Sequence, residues 1–305
     1  MSERVGVLAA LLSSTLGGTV AATTRFVIAD LDPLTLAALR FGGAFLVLLP
    51  IALAARQPWP KGRDWIAVVL LGGIYFCVYQ VLYNVAFVHT TAAHGSMIGA
   101  LLALITMVVA ALFGVERLTL RKTAGVLIAT AGVAAALAAG FADAPQSAWR
   151  GDLLMLTGVF CWACYNVWSR PFIARSSPLT FLIGGMGAGA AALLAILLWR
   201  GGLAAVATLA QAQWAALIYM ALLATPLALW LWIFALRHAS PTRAASTMAM
   251  HPVAAAILAA AIIGEPVGLH LVVGIVAVLA GVWIAAGRKS KKMSRDRALL
   301  GYSDV

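Results

Sequence analysis

Apolar stretches about twenty residues long recur from one end of this chain to the other, with only short polar breaks between them. They run over about 5–24, 33–55, 65–87, 93–113, 121–140, 151–169, 178–199, 213–236, 243–263 and 269–287. A bilayer core about 30 Å thick needs roughly 20 apolar residues in a helix. In lipid the backbone must satisfy its own hydrogen bonds, so each run is predicted to be a helix. The breaks carry the expected markers, such as Asp30-Leu-Asp-Pro33, Arg56-Gln-Pro-Trp-Pro60, Ser176-Ser-Pro178 and Gly264-Glu-Pro266. Ten spans use almost all of the 305 residues and leave no room for a separate soluble domain. Charged residues make up only 10% of the chain, against roughly 25% in soluble domains, so most of its surface is expected to face hydrocarbon.

The net charge of +11 would point to nucleic acid in a soluble protein. Here the basic residues sit in the breaks and report topology instead, and no nucleic-acid partner is expected. With the N-terminus inside, Arg25, Arg150 and Arg200 are the three basic residues of the outer breaks, and Arg40 lies within a span. The other 17 of the 21 Lys and Arg fall inside, six of them in the tail after residue 287. Both termini are therefore expected in the cytoplasm, with 288–305 a basic cytoplasmic tail. The first 22 residues mimic a signal peptide, but they have a partner later in the chain, which argues against cleavage.

That partner belongs to an internal repeat. Shifted by 145 residues, Gly6, Arg25, Pro33 and Thr35 fall on Gly151, Arg170, Pro178 and Thr180. Shifted by 149, Trp65, His89, Glu116 and Gly125 fall on Trp214, His238, Glu265 and Gly274. Each half, 1–141 and 142–287, thus holds five spans. Five is odd, so the second copy enters the membrane inverted. The expected fold is an all-α membrane protein of ten transmembrane helices in two inverted five-helix repeats. Inverted repeats are a recurring plan of secondary transporters, with the solute site near midplane between the halves.

Several features resemble the drug/metabolite transporter superfamily, EamA type. These are Pro33 followed by Arg40-Phe41, the pairs Val115-Glu116 and Gly264-Glu265 after the fourth and ninth spans, and Gly125, Gly132-Val133, Gly274 and Gly281-Val282 in the helices that follow. The resemblance spans about residues 5–287 and implies a 5+5 inverted fold that exports amino acids or other small metabolites. The tyrosine- and tryptophan-rich interior is similar to the bacterial aromatic amino acid exporters of that family, which implies the bacterial inner membrane. One departure stands out: Gly185 occupies the second-half position of Arg40.

Polar groups inside spans are costly and usually face a cavity or a neighbouring helix. Tyr79, Gln80, Tyr83 and Asn84 cover an arc of about 140° on the third span. They read either as a cavity wall or as interhelical contacts with an aromatic belt. Trp162 and Asn166 share a face of the sixth span with Tyr165 and Ser169, and Trp230 and Phe234 share one on the eighth. Arg40 would hold a carboxylate through its fork of donors, or else snorkel outward. His251, before Pro252, would carry a proton or simply pack. His94 and Ser96 open the fourth span and could line an exit. Glu116 and Glu265 read as helix-junction groups. Gly185 to Gly189 forms a G-x-x-x-G of close helix packing.

Other chemistries find little support in the residues. Cys161 and Cys164 form a C-x-x-C inside a span, with no second pair to complete a zinc site. There is no G-x-x-x-x-G-K-[ST] phosphate loop and no H-E-x-x-H, so no cofactor, no metal and no enzymatic activity are expected. None of the ten carboxylates lies mid-span, which favours facilitated uniport over proton antiport. The rival readings are a proton-coupled metabolite or drug antiporter using His251, and a membrane channel. Short connections make a monomer plausible, with a small-molecule substrate and the lipid bilayer as partners.

Overall fold

The computed structural model is all-helical over the residues it describes, which are 3–90, 95, 98–99, 101–116, 118–120, 123–128, 130–132, 148–202, 206, 209–262, 269, 272–273, 276–277 and 280. Six helices are long and apolar enough to cross a membrane: α1 Glu3–Val27, α2 Pro33–Ala54, α3 Asp64–His89, α7 Pro178–Trp199, α8 Gln211–His238 and α9 Pro241–Ile262. Shorter apolar helices follow α3, namely α4 Leu102–Leu112 and α5 Thr123–Gly132. α6 covers Ala148–Trp168. Most of the tenth expected span, much of the fifth, His94, Ser96, Glu265 and the basic tail lie outside the described residues.

Repeat-related residues start the helices in related ways. Asp32 caps α2, its carboxylate accepting from the Leu34 and Thr35 amides at 3.1 Å each. Its counterpart Ser177 caps α7, its hydroxyl accepting from the Thr180 amide at 3.1 Å. Proline follows each cap, where its missing N–H costs nothing. α3 and α8 correspond too, and each contains a π turn, Gly73–Tyr79 in one and Tyr219–Ala224 in the other. Such turns widen the helix and re-aim its side chains.

Contacts at the helix ends fix the directions. α1 starts where Glu3 pairs with Arg243, and it ends where Arg25 donates to the Phe87 carbonyl at 2.8 Å. α6 starts beside that second end, Gly151 lying against Ala86 and His89. The short helical turn after α6 reaches the first end, where Arg175 makes a two-pronged ion pair with Asp64 at the start of α3. Repeat-related α1 and α6 therefore run in opposite directions. The same holds for α2 and α7: Pro33 begins α2 beside Asn84, and Thr180 begins α7 beside Pro58, just past the end of α2. The halves also interlock, with α1 packed on α8 and α9, and α6 packed on α3 and α4.

The outer faces carry aliphatic side chains in the open, such as Leu46 at 70% exposure and Leu112 at 77%. In water such a surface would aggregate, whereas in a bilayer it is solvated by acyl chains. The core between the helices is aromatic and alanine-rich, with Phe41, Phe76, Phe87, Tyr165 and Phe181 fully enclosed. Close approaches use the glycines: a Cβ added to Gly72 would stand 2.3 Å from the Gly185 carbonyl oxygen, and one on Gly189 would stand 2.4 Å from Phe76 Cβ. The Gly185–Gly189 motif thus seats the π turn of α3 against α7.

Candidate functional site

One small cavity lies inside the bundle, at the seam where α1, α2, α3, α6, α8 and α9 meet. Its room for solvent is about 70 Å³, enough for roughly two waters. Drug-sized ligands occupy pockets of about 300 Å³ or more, so this conformation is nearly closed. Arg40, Tyr79, Gln80, Tyr83, Trp162 and His251 line it.

Arg40 comes from α2 and is 2% exposed. Its Nη2 donates to Gln80 Oε1 at 2.7 Å and its Nη1 to Thr24 Oγ1 at 3.2 Å. The guanidinium sits over Phe41, 4.6 Å from the ring centroid, and 5.8 Å from the centroid of Tyr83. Its buried Nε has no hydrogen-bond partner among the described residues, and no described carboxylate pairs with the side chain. A buried cation held by neutral oxygens and ring faces keeps attraction in reserve for an anion.

Beside it runs an aromatic wall. Tyr83, Tyr79, Trp162 and Trp232 follow one another with ring centroids 5.6, 5.1 and 5.3 Å apart. Tyr75 stacks behind them, 5.3 Å from Tyr79 and 4.5 Å from Tyr165. Trp162 Nε1 is buried without a partner among the described residues. Such a wall offers flat apolar faces and a few unspent polar edges.

His251 closes the side formed by α9. Pro252 removes a backbone donor there, and a turn of 3₁₀ helix at Thr247–Ala249 precedes it. The ring fits because Gly17 of α1 has no side chain: an added Cβ would stand 2.8 Å from His251 Cδ2. Ser14, one turn earlier on α1, is 2.9 Å from the Thr247 hydroxyl and tightens the same seam.

Three further residues singled out from the sequence lie apart from the cavity. Asn84 donates to the Pro33 carbonyl at 3.0 Å and ties α3 to the start of α2. Asn166 accepts from Trp232 Nε1 at 3.0 Å, behind the aromatic wall, and sets the angle of that indole. Trp230 points the other way along α8 and is 37% exposed, against Phe234. Thr225, Ala228, Leu229 and Trp232 are the α8 residues that reach the cavity. Thr225, Leu229 and Trp232 share a helical face, and the Thr225 hydroxyl in an apolar span was the sequence signal for it.

Comparison with known proteins agrees with this architecture. The EamA-like transporter family model matches residues 4–138 and again 149–287. The transporter YyaM of Bacillus subtilis is 26% identical over 267 residues, covering 86% of this chain and 87% of its own. A probable terminal-alkyne amino-acid exporter of Streptantibioticus cattleyicolor is 29% identical, covering 82% of each chain. The inner membrane transporter YedA of Escherichia coli K12 is 26% identical, covering 76% of this chain and 74% of its own. A crystal structure at 22% identity superposes with a TM-score of 0.67, covering 93% of this chain and 96% of its own, and shares the fold. Two matched copies in one helical, membrane-spanning chain leave a single assignment: this protein is a transporter, not an enzyme, and belongs to the EamA-like transporter family.

Proposed function

We propose that the chain is an alternating-access carrier that exports amino acids, aromatic or apolar ones favoured, or similar small metabolites, by facilitated uniport. The observation that carries this reading is Arg40, a buried cation without a described carboxylate partner, beside an aromatic wall that lines the same seam cavity. The guanidinium would hold a carboxylate, and Tyr79, Tyr83, Trp162 and Trp232 would hold an apolar or aromatic side chain. The nearly closed cavity fits a carrier between its open states, since binding must widen it. In this reading the chain has ten spans in two inverted repeats, 1–141 and 142–287. Both termini and the tail 288–305 are cytoplasmic, and a monomer sits in the bacterial inner membrane. The opposed directions of α1 and α6 and of α2 and α7 support that arrangement.

Counterflow tests it. Liposomes holding the purified protein are preloaded with unlabelled aromatic amino acid, and entry of labelled solute is followed. An alternating-access carrier is expected to accumulate label transiently above its outside concentration, because the preloaded solute competes for exit. Label that never exceeds its outside concentration would remove the carrier reading.

A second reading, proton-coupled antiport, is favoured by His251, which is 5% exposed, lines the cavity and has Nδ1 without a partner among the described residues. A pH gradient imposed on the same liposomes, without preload, separates the two. Uniport gives no uphill accumulation, whereas antiport gives accumulation that His251→Gln abolishes.

A further inference from the structure

Outside the central cavity, the groove between α2 and α8 changes character along its length. At its membrane-buried part it is apolar, formed by Val47 and Ile51 of α2 and by Leu222, Leu223 and Leu227 of α8, with a hollow of about 280 Å³. The cause lies in α8. Its π turn pushes Leu222 and Leu223 outward, and Pro226 interrupts the helix just after. Leu179 and Trp230 belong both to this hollow and to a second one of about 450 Å³ that continues it toward the end of the bundle. The second hollow is partly polar, with Gln57, Ser176, Ser177, Arg237 and His238 beside Pro58, Pro178 and Phe234.

Arg237 is exposed and has no hydrogen-bond or ion-pair partner among the described residues. His238 Nδ1 lies 2.8 Å from the Phe234 carbonyl, which leaves Nε2 free to face the hollow. The chain enters the hollow at Gln57 directly after Arg56, the one described non-glycine residue with positive φ, at 48°. Arg56 brings a second positive charge into the segment that enters the hollow. Lys61 and Arg63 follow a few residues on.

We propose that this groove is a binding site for one anionic phospholipid. Its acyl chain lies between α2 and α8 against Leu222, Leu223 and Leu227, and its phosphate meets Arg237, with the Gln57 amide and Ser177 at the headgroup rim. The hollow that holds the unpaired guanidinium leads into the apolar trough, in the order in which a lipid presents phosphate and tail. A soluble phosphate would use the second hollow, at Arg237, and leave the apolar trough empty.

Native mass spectrometry of the full-length protein released from detergent tests the site, with phosphatidylglycerol or phosphatidylcholine of identical acyl chains added. Phosphatidylglycerol is expected to be retained preferentially. Arg237→Gln is expected to cut its retention roughly fivefold, what one arginine–headgroup contact is worth, while Arg237→Lys restores most of it. Leu223→Trp, filling the trough, is expected to displace the lipid while leaving Arg237 in place. Equal retention of the two lipids, or unchanged retention in Arg237→Gln, would overturn the site. Displacement by glycerol phosphate at millimolar concentration would show a soluble-anion site instead and would equally overturn it.

Discussion

Arg40 Nη2 donates to Gln80 Oε1 at 2.7 Å, and both side chains are sealed from solvent in the seam between the halves. The bond links α2 to α3 and aims the guanidinium without neutralising it. Replacing that neutral acceptor by a carboxylate, Gln80→Glu, would give Arg40 an internal counter-ion and leave less attraction for a substrate anion. Affinity for solutes with a free carboxylate is expected to fall roughly 10- to 100-fold, the range of a charged hydrogen bond. Carboxamide analogues of the same solutes should lose no affinity. Competition against labelled uptake in proteoliposomes reads both, and a parallel loss for acids and amides would sink the assigned role of Arg40.

Trp162 joins the wall built by α3 to Trp232 of α8, with centroids 5.1 Å from Tyr79 and 5.3 Å from Trp232. Aromatic pairs contribute about 0.5–1.5 kcal/mol beyond buried area. Trp162→Ala should therefore slow uptake of aromatic solutes about two- to tenfold more than uptake of alanine-sized ones. Trp162→Phe, which keeps a ring, should recover most of the ratio. The ratio matters more than either rate, because a folding defect lowers both together. Tyr79→Ala is expected to act in the same direction.

The sequence carried much of this architecture because two of its signals are strong in lipid. Apolar runs mark spans, and an odd number of spans per repeat forces inversion. The opposed directions of α1 and α6 follow that logic. The lining of the cavity was legible where a polar residue interrupts an apolar face, as at Arg40, Gln80 and His251. It was not legible on α8, where Trp230 and Trp232 are two residues and therefore about 200° apart. Nothing in composition says which of two tryptophans faces lipid, since both environments accept an indole. Asn84 and Asn166 satisfy or orient neighbours one layer behind the cavity, a distinction that spacing along one helix does not encode. The π turns were invisible too, because they depend on how neighbouring helices seat against α3 and α8.

Gly72 and Gly185 face one another, yet they should not tolerate substitution equally. An added Cβ at Gly72 would stand 2.3 Å from the Gly185 carbonyl oxygen, while one at Gly185 would stand 3.2 Å from Gly72 Cα. The first clash is with backbone and has no soft way out. Gly72→Ala is expected to lose about 1–3 kcal/mol, as overpacked cores do. Gly185→Ala needs a shift of only a few tenths of an ångström and gains about 1 kcal/mol of helix propensity, so it should be near neutral. Thermal unfolding of the two variants in detergent checks the order, and a Gly185→Ala less stable than Gly72→Ala would contradict the packing.

Gly6 against His238 and Gly151 against His89 are the same contact made twice, once at each end of the bundle. An added Cβ would stand 3.0 Å from His238 Cβ at Gly6 and 3.1 Å from His89 Cβ at Gly151, so a side chain at either glycine acts as a wedge. If the halves rock about the seam, each wedge should favour opening at its own end, with opposite effects on the cavity's access. A cysteine placed at Ser13, which lines the cavity, reports this in a background with Cys77, Cys161 and Cys164 changed to serine. Gly6→Leu should speed labelling by a membrane-impermeant thiol reagent added from the side of Glu3 and Arg243, and Gly151→Leu from the side of Arg25. The favoured state is expected to shift by roughly tenfold for each 1.4 kcal/mol of strain that the wedge relieves on opening. Labelling that rises from the same side in both variants would mean that the two seals do not alternate, and the carrier mechanism would fail with them.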